Sequence, residues 1–405
     1  MNSTPLLRYL LIYPWTICLF ASSALGDWQT DFKRALKNGG AYAERDDGKV
    51  LFSHRADDHF IPASTLKIAT AAHALALGRE FRFTTEFSSS AACVLYVRGL
   101  GDPMLVSEEL SIAATNVARE LRSLKEIVID DSYFAPGIKI DGASRSTNPY
   151  DAINGALLAN FNTVFFRKLK SGNVQSAEPQ TPLTATARSV AAQHGVGEQR
   201  INLGADRELS ARYVGELLQA FLEREGVSNR GGIRLGVVPG DARVIYVHRS
   251  SKPLDEHLRG MLKYSTNFMA NQLFLIQGAR KFGAPATVEK GQRAFREFLE
   301  QRVGWKSFAV AEGAGLSRKN QVSPKQMVEL LRFFEPNKEL LPIEEGKFLV
   351  KTGTLHEVNT LSGYFKLSDG HSVKFSILVN DQVPFGYKFQ LARKLYAGLS
   401  GVAKP

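Results

Sequence analysis

Two stretches of alternating apolar and polar positions, GGAYAERDD and KVLFSHRADD, flank Asp47-Gly48 within residues 38–60. Alternation has the two-residue period of a half-buried strand, and Asp-Gly suits a tight turn, so the pattern predicts a β-hairpin. Pro62 then opens a predicted helix that runs to about Leu77, where Gly78 stops it. Its apolar residues (Leu66, Ile68, Ala69, Ala71, Ala72, Ala74, Leu75) surround nearly the whole circumference. That is the pattern of a buried helix, not an amphipathic one.

The pattern changes over residues 86–249. Short strand-like runs, CVLYVRG, EIVIDD, TVFFRKL and ARVIYVHRS, alternate with polar loops, and 171–186 is a Ser/Gln/Pro-rich linker. An amphipathic helix is expected over 211–227. Helical periodicity returns in LDEHLRGMLKYSTNFMANQLFLIQGA, EKGQRAFREFLEQRV and SPKQMVELLRFF. Three strand-like runs close the chain: FLVKTG, LSGYFKL and VKFSILVN. A second hairpin turn lies at Ser368-Asp369-Gly370-His371, and QLARKLYAGL reads as a last helix packed on the sheet. A hairpin at one end and three strands at the other predict one α+β domain whose antiparallel sheet is closed by both ends of the chain. That domain would comprise 27–85 and 250–405, with a strand-rich domain, 86–249, inserted into it.

Residues 1–26 are set apart from this fold. One positive charge at Arg8 precedes the apolar run YLLIYPWTICLFASSALG, which ends in small residues. This is the pattern of a signal peptide cleaved before Asp27, which implies export to the periplasm or cell envelope. An uncleaved membrane anchor is the alternative, although Pro14 and the shortness of the run disfavour it. No later segment is apolar enough to span a membrane. Cys93 is the second of two cysteines and the only one after residue 26, so no intramolecular disulfide is expected in the mature chain. It reads as a small buried hydrophobe in the run AACVLYV. The net charge of +11 comes without a long Lys/Arg run, which with export argues against nucleic acid and for an anionic polymer as partner.

Three short motifs carry chemistry. Ser64 and Lys67 stand three residues apart at the start of the buried helix, on one face of it. The first turn offers unpaired N–H groups to a developing anion, and burial lowers the pKa of a lysine. A neutral Lys67 is then able to take the proton of Ser64, although rim residues of a core helix would show the same spacing. Ser265 and Asn267 lie two apart near a helix start, where an N-cap is the plainer reading. Lys351, Thr352, Gly353 and Thr354 follow the strand FLV, and Gly353 would let a ligand approach the backbone closely. The eight histidines are scattered and build no metal site.

S-x-x-K, S-x-N and K-T-G in this order resemble the penicillin-recognising serine acyl-transferases. The gap of 201 residues between Ser64 and Ser265 is far longer than in class A β-lactamases. VRGLGDPML, NPYDAINGALLANFNTV, EGAGLSRKNQVSP and LVKTGTLHEVNTLSGY are similar to the penicillin-binding protein 4 type of D-alanyl-D-alanine carboxypeptidase and endopeptidase. The resemblance implies a transpeptidase/β-lactamase-like domain with a five-stranded antiparallel sheet flanked by helices, no cofactor, peptidoglycan as substrate and β-lactams as covalent inhibitors. It further implies Ser64 as nucleophile, Lys67 as base and Ser265 as proton relay, with Asn267, Lys351, Thr352, Gly353 and Thr354 binding substrate. Backbone N–H groups of Ser64 and Thr354 would form the oxyanion hole. The insertion is shorter than in larger members of the family. A β-lactamase or esterase on the same fold, an inactive wall-binding module, and any role of Tyr150 and Arg318 stay open at this point.

Overall fold

The computed structural model describes residues 23–229 and 231–401. The expected signal peptide falls largely on residues outside these; its last residues begin a helix, Ser23–Ala35, absent from the sequence reading. Among the described residues no helix is long and apolar enough to cross a membrane.

The central sheet has six strands rather than five. Its order is Ile343–Glu344, Phe348–Leu355, Val358–Lys366, Ser372–Val379, Gly39–Arg45 and Val50–His54, with every pairing antiparallel. The additional member is a two-residue edge strand, too short to show alternation in sequence. Gly39–Arg45 pairs with Ser372–Val379, so the two ends of the chain do meet in one sheet. Both Asp-Gly turns join paired strands, with Gly48 and Gly370 at positive φ.

One face of this sheet is covered by Ser23–Ala35 and the last helix, Tyr387–Ser400. Phe32 and Leu36 meet Leu391 and Leu395 there, over Phe348, Phe375 and Ile377. A larger core lies beyond the other face: the helix Asn267–Phe282 packs on Lys67–Ala74, which packs on Pro324–Phe334, and Pro324–Phe334 lies against the strands. This last helix starts on a capping box: Ser323 accepts from the Gln326 N–H while the Gln326 side chain accepts from the Ser323 N–H.

Residues 84–249 build a third core. A five-stranded sheet, in the order Ile233–Leu235, Glu126–Asp130, Val94–Gly99, Thr84–Ser89, Arg243–Arg249, mixes parallel and antiparallel pairs. The helices Ser107–Glu120 and Arg207–Arg224 pack on it, and a three-stranded sheet adjoins. The incoming strand Thr84–Ser89 is paired with the outgoing one, Arg243–Arg249, so the chain leaves the central unit and returns to it at neighbouring points. Two local readings need correction. The stretch 171–186 is not a plain linker: Val174–Ser176 is a strand paired with Thr163–Lys168, and a helix begins at Ala185. Cys93 is half-buried in a turn at φ +60° instead of sitting inside a strand, its carbonyl accepting from Lys125 N–H at 3.0 Å.

Candidate active site

Pro62 and Ala63 bring the chain out of an extended segment, and Ala63–Leu66 forms a 3₁₀ turn that runs directly into the helix Lys67–Ala74. In 3₁₀ geometry residues i and i+3 eclipse, so Ser64 and Lys67 face each other more directly than on an α-helix. The Lys67 Nζ lies 2.8 Å from Ser64 Oγ, 2.8 Å from Asn267 Oδ1 and 2.7 Å from the Ala314 carbonyl. Lys67 is fully buried. Burial pushes its pKa well below the usual lysine value, and the positive charge of Lys351 adds to this, opposed by Glu312.

The three neighbours have a chemical meaning. A neutral amine has two N–H groups and one lone pair. Asn267 Oδ1 and the Ala314 carbonyl are pure acceptors and take the two N–H groups. The lone pair is left for the hydroxyl proton of Ser64, while a protonated Nζ donates to all three. Both protonation states are therefore satisfied in one geometry.

Asn267 opens the helix Asn267–Phe282, and its Nδ2 donates to the Tyr150 carbonyl at 3.3 Å. Ser265 ends the preceding helix in a left-handed conformation, φ +55°. Among the described residues its hydroxyl makes no hydrogen bond, so the structure joins Ser64, Lys67 and Asn267 in one network and leaves Ser265 beside it.

The K-T-G stretch forms the end of Phe348–Leu355, antiparallel to Val358–Lys366. Lys351 is 2% exposed and donates to the Thr352 carbonyl at 2.9 Å. Burial, with Lys388 close by, brings its pKa down to about 8. Gly353 is needed for a reason other than ligand approach: a Cβ there would lie 2.8 Å from the Pro62 carbonyl, 3.0 Å from Ala63 Cβ and 2.1 Å from Thr360 Oγ1. The missing side chain lets the Ser64 turn dock on the strand.

The loop from Glu312 to Asn320 supplies the third wall. Glu312 is fully buried, and its carboxylate accepts from the N–H groups of Ala314 (2.7 Å), Gly315 (2.8 Å), Leu316 (2.7 Å) and Ser317 (3.3 Å) and from Asn320 Nδ2 (2.8 Å). This wraps the loop around one anion and aims the Ala314 carbonyl at Lys67. Gly315, at φ +82°, touches the Ser64 turn so closely that a Cβ would stand 1.9 Å from the Ala63 carbonyl oxygen. Arg318 donates to the His356 carbonyl at 2.5 Å, and Lys319 pairs with Asp141 at 2.9 Å. Tyr150 is 59% exposed beside Asn267.

The model of the D-Ala-D-Ala carboxypeptidase 3 (S13) family matches residues 30–195, 198–344 and 337–391. The chain belongs to this family. It is 28% identical to a D-alanyl-D-alanine carboxypeptidase of Actinomadura sp. (strain R39), over 87% of this chain and 80% of that one. It is 23% identical to the D-alanyl-D-alanine carboxypeptidase DacB of Haemophilus influenzae, over 93% and 92% of the two chains. Among solved structures, penicillin binding protein 4 (dacB) of Haemophilus influenzae superposes with a TM-score of 0.76 at 22% identity, covering 92% of this chain and 99% of that one. The expected penicillin-binding protein 4 type and α+β, transpeptidase/β-lactamase-like fold are thus borne out.

In the sequence of this S13 chain the Glu312 loop is a family-like stretch in which Glu312 itself has no evident task, and Lys388 does not stand out at all. A lone Glu before a Gly-rich segment was the available signal for the first; nothing marks the second. Glu312→Gln replaces an acceptor of five hydrogen bonds by an amide that presents N–H to N–H. It is expected to lower unfolding stability by about 3 kcal/mol or more, read by urea denaturation, and to slow acylation as the Ala314 carbonyl leaves Lys67.

Proposed function

We propose that this chain hydrolyses the D-alanyl peptide bond of peptidoglycan stem peptides through an ester on Ser64. The same bond type covers removal of a terminal D-alanine and opening of a D-alanyl cross-link. The observation that carries the reading is the Lys67 amine, fully buried and 2.8 Å from Ser64 Oγ, with its other two neighbours both acceptors.

In this mechanism the Ser64 oxygen bonds to the carbonyl carbon of D-alanine while its proton passes to Lys67 Nζ. The negative charge that develops on the carbonyl oxygen is met by the N–H groups of Ser64 and Thr354, donors worth about 3–4 kcal/mol each in other hydrolases. The C–N bond breaks, and the leaving nitrogen takes a proton from Lys67, with Ser265 as relay. Water then attacks the ester, returning the acid and the free serine. Asn267 holds the amide side of the substrate. Lys351, Thr352 and Thr354 receive the carboxylate on the leaving side, where a cation and two hydroxyls suit an anion. A β-lactam, whose strained amide mimics the same bond, acylates Ser64 by the first half of this cycle.

The activity belongs outside the cytoplasm, where the polymer lies. The apolar segment after Arg8 supports export, and the net charge of +11 suits a carboxylate-rich polymer. We also propose that 27–85 with 250–405 forms the catalytic unit and 86–249 the insertion; the separate core of 84–249 and the pairing of its first and last strands support this division. Digestion of purified muropeptides, followed by product masses, tests the function. Loss of one D-alanine from pentapeptide monomers marks the carboxypeptidase, and conversion of cross-linked dimers to monomers marks the endopeptidase. If neither product formed, the reading would be wrong.

A further inference from the structure

Two buried lysines stand outside the mechanism: Lys374, which pairs with Glu335 at 2.9 Å, and Lys388, the second residue of the helix Tyr387–Ser400. Lys388 is 1% exposed. Its Nζ donates to the Gly353 carbonyl at 3.0 Å and to Thr354 Oγ1, and the ring of Phe385 lies 5.0 Å away. Among the described residues no carboxylate pairs with it, and the charged group it faces is another lysine, Lys351. The helix start is pinned at this point. Lys388 N–H donates to Asn359 Oδ1 at 3.1 Å, while Asn359 Nδ2 donates to the Phe385 carbonyl at 3.2 Å. Asn359 is also the strand partner of Thr354.

An unpaired ammonium group in a protein interior is costly, and an apolar side chain of equal volume would fill the space at less expense. Its two acceptors say what it does. Gly353 C=O and Thr354 N–H belong to one planar trans peptide and point in opposite directions. A lysine that holds the carbonyl and the neighbouring hydroxyl therefore fixes the direction of the Thr354 N–H.

We propose that Lys388 is a positioning residue for the oxyanion hole, orienting the Gly353–Thr354 peptide from the C-terminal helix. This rests on the Ser64 mechanism above. An oxyanion donor acts on the transition state and barely on the bound reactant, which separates this role from binding the substrate carboxylate. The positive charge also adds to the field in which the anion forms. Burial brings the pKa of Lys388 down to about 8, so the group is still largely protonated at neutral pH.

The test is rapid-mixing acylation by a fluorescent penicillin at several concentrations, which yields a limiting rate and a dissociation constant. Lys388→Met is expected to lower the limiting rate about 10- to 100-fold, less than deleting a donor outright, with a clearly smaller change in the dissociation constant, since the Thr354 hydroxyl also loses a partner. Full labelling at long times shows that the pocket stays folded. If Lys388→Met gives no soluble protein, Lys388→Gln, too short to reach both acceptors, decides by the same criterion. An unchanged limiting rate overturns the proposal, as does a weakened dissociation constant at unchanged rate, which would make Lys388 a carboxylate ligand. Ser64→Ala runs beside these variants. A label on that protein overturns both this proposal and the mechanism, whereas a blank there with wild-type rates in Lys388→Met overturns this one alone.

Discussion

Ser64→Ala is expected to release neither D-alanine nor monomeric muropeptide and to take up no penicillin. The loss in rate should be on the order of 10⁴-fold or more, because a serine hydrolase without its nucleophile keeps only what its binding groups and oxyanion hole supply. The fold should survive. Ser64 is only half-buried, and among the described residues its hydroxyl has the single partner Lys67, so the thermal midpoint should stay within a few degrees of wild type. The assay is high-performance separation of muropeptides with mass detection, run beside a melting curve. Residual cleavage near the wild-type rate would mean that the nucleophile is another residue.

Lys67→Met should come next in size, with acylation slowed about a thousandfold, since general-base assistance contributes 10²- to 10⁴-fold. Unlike Ser64→Ala, it also affects stability. It orphans Asn267 Oδ1 and the Ala314 carbonyl, each at a cost of about 1–3 kcal/mol, while removing the desolvation of an amine. The same site dictates a pH profile. Lys67 acts in its neutral form and its pKa is depressed, so acylation is present above that folded value and falls as acid protonates Nζ. Lys351 acts in its charged form with a pKa of about 8, so carboxylate binding fades as pH rises through that value. The acylation rate constant should therefore be bell-shaped in pH, and Lys351→Met should remove the part of the alkaline limb due to carboxylate binding.

What the sequence made legible follows from how local each signal is. The two hairpins were readable because Asp-Gly fixes the turn and strict alternation fixes the strands beside it. The first motif was readable because three positions on a helical turn oblige Ser64 and Lys67 to meet. The convergence of Asn267 and of the 351–354 stretch on that pair depends on contacts 200 residues apart or more, which here rested on a family resemblance rather than on spacing. Two helices escape the sequence for other reasons: Ser23–Ala35 is hidden behind a signal-like run, and Ser107–Glu120, whose buried Leu110, Ala113, Ala114 and Val117 keep the helical period, lies among strand-like runs that dominate the pattern there. At Gly353 the sequence suggests a ligand against the open side, whereas the fold places Pro62 and Ala63 there. Glu312 and Lys388 are charged residues whose burial is a tertiary fact.

The most direct measurement is the covalent state of the protein after brief exposure to penicillin, by intact mass followed by tryptic mapping. One adduct per chain is expected, carried on the peptide from Ala56 to Lys67 at Ser64, long-lived enough to isolate and absent from Ser64→Ala. An unmodified protein, an adduct on a different peptide, or penicillin consumed catalytically with no adduct accumulating would contradict the Ser64 mechanism.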